Sequence, residues 1–327
     1  MQLISNDISK SIYRPVICSF GSKEQNKSNN TILERSPEQD KTEISGNKNC
    51  NKKRNIMIGT GIAAAVIATV GIVSAIKNKN TDYITKAQKT FQETFMRDNI
   101  SREETIQMLN EYKEINKIKN TDEYITALFN NARKNYKLEH LNLKWEKSDL
   151  EKHQIAAMDA SGTLNVNKNI NINRKELVNV IFHEFRHAKQ NDIMCSANPD
   201  RYAKGILRQK SSVKILKNKY KNWISNTADK LSKTEHLSKK ELDEVVMDCL
   251  IDKLTPGIKS HAVNKLGYGK SVIPDKLKDY TEKCFNAQSN YDNSNIFKYY
   301  FNFLEKDARN AGEKMKKIIT TIPDKIG

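Results

Sequence analysis

Two histidines four residues apart, His183 and His187, constrain this chain more than anything else in it. They lie in the run Val180-Ile181-Phe182-His183-Glu184-Phe185-Arg186-His187-Ala188. On an α-helix that spacing puts both imidazoles on one face, where a single metal ion can reach them. Glu184, beside the first histidine, is then placed to act on a water at that metal rather than to ligate it. The surrounding residues specify the helix. Asn173 is a good N-cap, and Glu176 three residues on completes a capping-box pattern. Leu177, Val180, Ile181 and Ala188 recur at helical spacing and predict a buried stripe. No Pro or Gly interrupts residues 174–192.

Strand patterns precede this helix. Residues 141–145 alternate apolar and polar, and residues 154–158 and 163–167 flank Asp159-Ala160-Ser161-Gly162, which reads as a hairpin turn. A short sheet followed by an HExxH helix resembles the zincin metallopeptidases. The string His183-Glu184-Phe185-Arg186-His187-Ala188-Lys189-Gln190 is similar to the HE-x-x-H-A-x-Q form found in several bacterial families of that group. The resemblance spans residues 141–316, and its specific part is the motif helix. It implies Zn²⁺ as cofactor, His183 and His187 as ligands and Glu184 as the catalytic base. The metzincin branch is excluded, because its Gly and third His would fall at positions held here by Gln190 and Ile193.

The other zincin branch takes its third ligand from a downstream acid. A thermolysin-like protein places a Glu about twenty residues on, but here no Glu lies between Glu184 and Glu235. Asp192 is too close on the same helix, and Asp200, after Pro199, reads as a cap for the next one. Two remote sites compete. Glu305 follows the aromatic run Tyr299-Tyr300-Phe301-Asn302-Phe303, which would anchor its helix in the core. Ala308 and Gly312 share its helical face and would let that helix press close to the motif helix. The run also resembles the E-x-x-A ligand helix of HExxH families whose two motifs lie far apart. The rival is Glu244, with Asp248 to orient a histidine from behind. Met247 and Ile251 on its face make close approach harder, and Glu241, Glu244 and Asp248 also fit a solvated stripe on a helix capped by Ser238. The expected metal set is His183, His187 and Glu305.

Three such ligands leave one position open for water. The metal brings the pKa of that water toward neutrality, and a general base takes its proton. Peptide hydrolysis is the expected outcome, with a protein or peptide as substrate. An oxyanion donor is also required. Tyr299, Tyr300, His236 and His261 are available, and nothing in the sequence selects among them. His140 and His153 lie around the predicted strands without a signal of their own.

A second strong feature lies near the N-terminus. Residues 56–76 carry no charge over twenty-one positions, long enough to cross a bilayer core as a helix. Lys52, Lys53 and Arg54 bound one end, and Lys77 and Lys79 the other. More than fifty polar-rich residues come first, which argues against a cleavable leader. Lys and Arg on the two flanks nearly balance, so orientation stays open. The expected order is a disordered tail over 1–54, a transmembrane helix over 55–77, a helical segment over 80–137 and a zincin-like domain over 138–327. Helices are predicted at 82–97, 102–118, 122–136, 201–223, 239–254, 275–286 and 296–319. The fold class is α+β and helix-dominated, with a small sheet ahead of the motif helix, a helical C-terminal part and one N-terminal transmembrane helix.

The net charge of +17 opens the question of nucleic acid, but the lysines are dispersed and no aromatic-basic run occurs. Contact with membrane lipid, through the anchor and with acidic headgroups, is the more economical use. The five cysteines are odd in number and form no C-x-x-C pair, so neither a disulfide scaffold nor a second zinc site is expected. The sequence therefore points to a membrane-anchored, single-pass zinc metallopeptidase. The alternative is a non-catalytic membrane-tethered zincin-like binding protein, which would have no need of Glu184.

Overall fold

The computed structural model describes residues 80–327, apart from 152, 153, 160, 170, 172, 293–295, 325 and 327. The predicted tail and transmembrane helix lie outside these residues. Among the described residues no helix is long and apolar enough to cross a membrane.

Helices α1 (80–95), α2 (Arg102–Lys117) and α3 (Thr121–Asn135) come first. Strands β1 (Lys144–Ser148), β2 (Ala156–Met158) and β3 (Thr163–Asn167) follow. Next is the motif helix α4 (Arg174–Ala197), then α5 (Pro199–Arg208), α6 (Lys210–Lys219), α7 (Lys221–Thr234) and α8 (Lys239–Ser260). A π-helical turn (His261–Leu266) leads toward α9 (Lys278–Ser289), α10 (Ile296–Phe301) and α11 (Phe303–Ile319). The described chain is thus a helix-dominated α+β fold.

The sheet has three strands in the order β1-β3-β2, with β1 parallel and β2 antiparallel to β3. The predicted turn at 159–162 forms between β2 and β3. Gly162 holds it at φ 78, a left-handed conformation that glycine adopts without steric cost. The first strand begins later than its alternation suggests, at Lys144. Leu141 and Leu143 are instead buried in the preceding loop.

The core centres on α4. Phe182 and Phe185 are fully buried and pack among aromatic rings from the first three helices. Phe95 meets Tyr136 edge-on at 5.0 Å, and Phe129 meets Phe185 at 5.1 Å. Edge-to-face pairs of this kind add to the area they bury. The 80–137 segment therefore shares one core with the motif helix. The expected stripe of Leu177, Val180, Ile181 and Ala188 is buried, at about the 1% level of exposure.

Helix α11 lies along α4. At their closest approach, a side chain on Gly312 would collide with the carbonyl oxygen of Asn179. Ala308, one turn earlier, is fully buried. These small residues let the two backbones approach, as their spacing suggested.

Several local expectations need correction. Asn173 does cap α4, accepting from the Lys175 amide, but Glu176 does not close the box. Its carboxylate pairs with Lys316 of α11 at 2.8 Å. Asn198 rather than Asp200 caps α5, and Asp200 pairs with Lys259. The predicted helix over 201–223 is broken at Gln209 and Tyr220 into three. The helix expected to stop at 254 runs through Pro256 to Ser260. The helix over 296–319 is broken at Asn302, whose side chain caps α11 by accepting from Leu304 N. As a result Tyr300 and Phe301 lie exposed, at 54% and 71%, and do not anchor the helix. Phe303, packed on Tyr280 at 5.6 Å, takes part of that role.

Candidate metal centre

His183 and His187 project from adjacent turns of α4 toward the first turn of α11. Their Nε2 atoms are 3.1 Å apart. Glu305 completes the group, with Oε2 3.5 Å from His183 Nε2 and Oε1 3.3 Å from His187 Nε2. Donor atoms bonded to zinc at 2.0–2.1 Å occupy tetrahedral corners about 3.3 Å apart. The histidines approach different oxygens of the carboxylate, and one ligand atom from each residue lies within 4.8 Å of the other two, so the three could converge on a single ion. Among the described residues, this is the one group of three or more His, Cys, Asp or Glu able to hold a metal. His183 and Glu305 are almost fully buried. Glu305 Oε2 is buried 3.5 Å from His183 Nε2, with an Arg309 guanidinium nitrogen 4.0 Å away.

The remote acid that the fold brings beside the histidines is Glu305, not Glu244. Glu244 is 67% exposed at its side chain, near Lys240, and Asp248 pairs with Arg208. Both belong to a solvated face of α8. Glu305 reaches the histidines because Asn302 starts α11 just ahead of it. A carboxylate in a first helical turn also faces the unsatisfied amides there, a favourable placement.

The charges of the trio are coupled. Burial alone would depress the His187 pKa, but Glu305 beside it outweighs burial and raises it to about 9. Burial would raise the Glu305 carboxyl, yet the attraction of His187 and the hydrogen bonds of both histidines hold it well below the usual range. Without metal, the pocket is thus an imidazolium–carboxylate pair. A divalent cation would replace the proton.

Glu184 is buried, and its Oε2 accepts from Met158 N at 3.1 Å. Antiparallel pairing explains that contact. Asp159 N and Ile155 O bond to β3, so the Met158 amide between them points off the sheet edge toward α4.

Of the other partners of the trio, Tyr291 carried no sequence signal. Tyr291 donates from its hydroxyl to Glu305 Oε1 at 2.8 Å. Gln190 lies 2.9 Å from His187 Nδ1 through its Oε1. Its amide nitrogen donates to Leu304 O and, at 2.8 Å, to Asp307 Oδ2. Asp307 is bound in two-pronged fashion by Arg186, at 2.6 and 2.9 Å, and by the Tyr280 hydroxyl at 2.6 Å. Burial opposes ionisation of Asp307, but Arg186 prevails and lowers its pKa. Gln190 stood within the motif string, and its position three residues past His187 was the one available hint.

The remaining candidates are placed elsewhere. Tyr300 is half-exposed, with the Arg309 guanidinium 4.0 Å from its ring centre, and His236 is exposed. Tyr299 packs on Tyr291 at 6.1 Å. His140 Nε2 sits 3.2 Å from buried Asp192, which also accepts from Gly269 N and Ser271 Oγ. Asp192 thus holds a loop and takes no part in the trio. His153 lies outside the described residues. Cys195, Cys249 and Cys284 are free thiols. No family model, curated protein or solved structure matches the chain.

Proposed function

We propose that the chain is a zinc metallopeptidase of gluzincin type, tethered to a membrane by the apolar run at 56–76. The observation that carries this reading is the buried convergence of His183, His187 and Glu305, all within 4.8 Å, with Glu184 on the same helix. His183, His187 and Glu305 would hold Zn²⁺, which supplies Lewis acidity toward a carbonyl and toward the attacking water. Glu184 takes the proton from that water and returns it to the leaving amine. Its buried position beside the strand amide of Met158 keeps the carboxylate aimed and shields the transfer from bulk solvent.

Zinc analysis of the full-length protein combined with a peptide-hydrolysis assay tests the proposal. Glu184→Gln should retain zinc and lose hydrolysis, whereas His183→Ala and His187→Ala should lose both. Zinc retained by the wild type without hydrolysis of any peptide would favour the non-catalytic binding protein instead. Loss of zinc from Glu184→Gln, as complete as from the histidine variants, would overturn the division of roles.

A further inference from the structure

The hydrogen-bond polarity around Gln190 determines more than its distances state. Leu304 O and Asp307 Oδ2 are acceptors only, and both lie against one end of the Gln190 amide. That end must be the NH₂ group, whichever way an amide might otherwise be turned. The other end, facing His187 Nδ1 at 2.9 Å, is therefore the carbonyl oxygen. An oxygen acceptor requires a proton on Nδ1. A neutral His187 is then left with its lone pair on Nε2, the atom that meets His183 and Glu305.

We infer that Gln190 is a positioning residue that fixes the tautomer and ring orientation of His187, and that Asp307 fixes the direction in which Gln190 faces. This rests on the reading of the trio as a metal centre. Asp307 can serve only while it stays an acceptor toward Gln190, and Arg186 and Tyr280 hold it so. Arg186 is itself anchored, donating at 2.7 Å to Thr94 O at the end of α1. The relay runs from the α1 backbone through Arg186, Asp307 and Gln190 to the imidazole. It gives separate tasks to two residues of the motif string that bind no metal, Arg186 and Gln190. It also gives α11 a second role, since it carries both the acidic ligand and the acid that orients a basic one. Outer partners of this kind commonly change metal affinity by about 10- to 100-fold when removed.

The test is nitrogen-15 NMR of His187 in full-length, metal-free protein at alkaline pH, where the imidazole is neutral. The proton should reside on Nδ1 in the wild type and redistribute toward Nε2 in Gln190→Met, which keeps the length of the side chain but removes the acceptor. Zinc affinity of Gln190→Met, by chelator competition, should fall by about 10- to 100-fold, alongside a lower melting temperature from the donors lost at Leu304 O and Asp307. A wild-type His187 protonated on Nε2 overturns the relay, as does a Gln190→Met protein with an unaltered tautomer. A wild-type protein with the proton on Nδ1 that binds no zinc overturns the metal-centre reading and leaves the relay standing.

Discussion

The Tyr291 hydroxyl donates to Glu305 Oε1 at 2.8 Å, while Glu305 Oε2 faces His183 Nε2 at 3.5 Å with an Arg309 guanidinium nitrogen 4.0 Å away. The two oxygens of one carboxylate are thereby made unequal. On the proposed chemistry, Tyr291 engages the first and would leave the second to the metal. Tyr291→Phe should weaken zinc binding by about tenfold without unfolding the protein. Chelator competition alongside a thermal melt measures both. Unchanged affinity would show that the hydroxyl does no more than satisfy the carboxylate.

Glu305→Ala should lower zinc affinity by several orders of magnitude, since a three-ligand site loses its only anion. Glu244→Ala, on the solvated face of α8, should leave it within about twofold, as surface substitutions generally do. Isothermal titration of both variants with Zn²⁺ compares them directly. Equal losses would mean that Glu305 is not a ligand.

The imidazolium–carboxylate pair predicts how the metal-free protein responds to pH. The His187 pKa is raised from 6.5 to about 9 in the fold. The stability from its proton is fully present below 6.5 and is lost as pH rises through about 9. Glu305, depressed from 4.5, contributes stability above that value that is lost as pH falls through its lowered pKa. The metal-free protein should therefore melt at falling temperature between pH 6.5 and 9. Zinc-saturated protein should lack that decline, and zinc binding within the window should release a proton. Calorimetric melts with and without zinc check the sign. A metal-free protein that gains stability across this window would contradict the pair.

Crowding the α4–α11 seam should disturb the site without touching a ligand. Ala308→Leu adds volume where a fully buried methyl sits, and Gly312→Ala drives a carbon into the Asn179 carbonyl. Overpacking of this kind costs about 1–3 kcal/mol. Both variants should lower the melting temperature and weaken zinc together. Weaker zinc binding with an unchanged melt would place the effect elsewhere.

The sequence revealed what depends on near neighbours. The motif helix follows from its cap, its apolar stripe and the absence of breakers, and the β2–β3 turn from Asp159 and Gly162. Glu305 was legible because Ala308 and Gly312 mark a close helix approach from one strand of sequence. What it did not reveal depends on distant partners. Glu176 fits a capping box locally, yet Lys316 offers its carboxylate an ion pair instead. The breaks at Gln209 and Tyr220 involve no Pro, no Gly and no side-chain cap, so nothing in the local pattern marked them, whereas Asn302 with Glu305 three residues on is a local N-cap pattern. Tyr291, Asp307 and Gln190 share no spacing rule, because the docking of α11 on α4 relates the last two and Tyr291 reaches Glu305 from the loop after α9. The apparent aromatic anchor misled for a related reason: the Asn302 break turns Tyr300 and Phe301 outward.

Because Asn302 starts α11, the single acidic member of the trio arrives on the last helix of the described chain. The two histidines are translated and can become helical well before their counter-charge exists. A chain halted ahead of residue 303 carries the motif intact but lacks the anion that balances a divalent cation there. On the proposed chemistry, competence is thus withheld during synthesis until the C-terminal helix docks, and any cleavage that removes that helix silences the protein while leaving its most recognisable sequence in place.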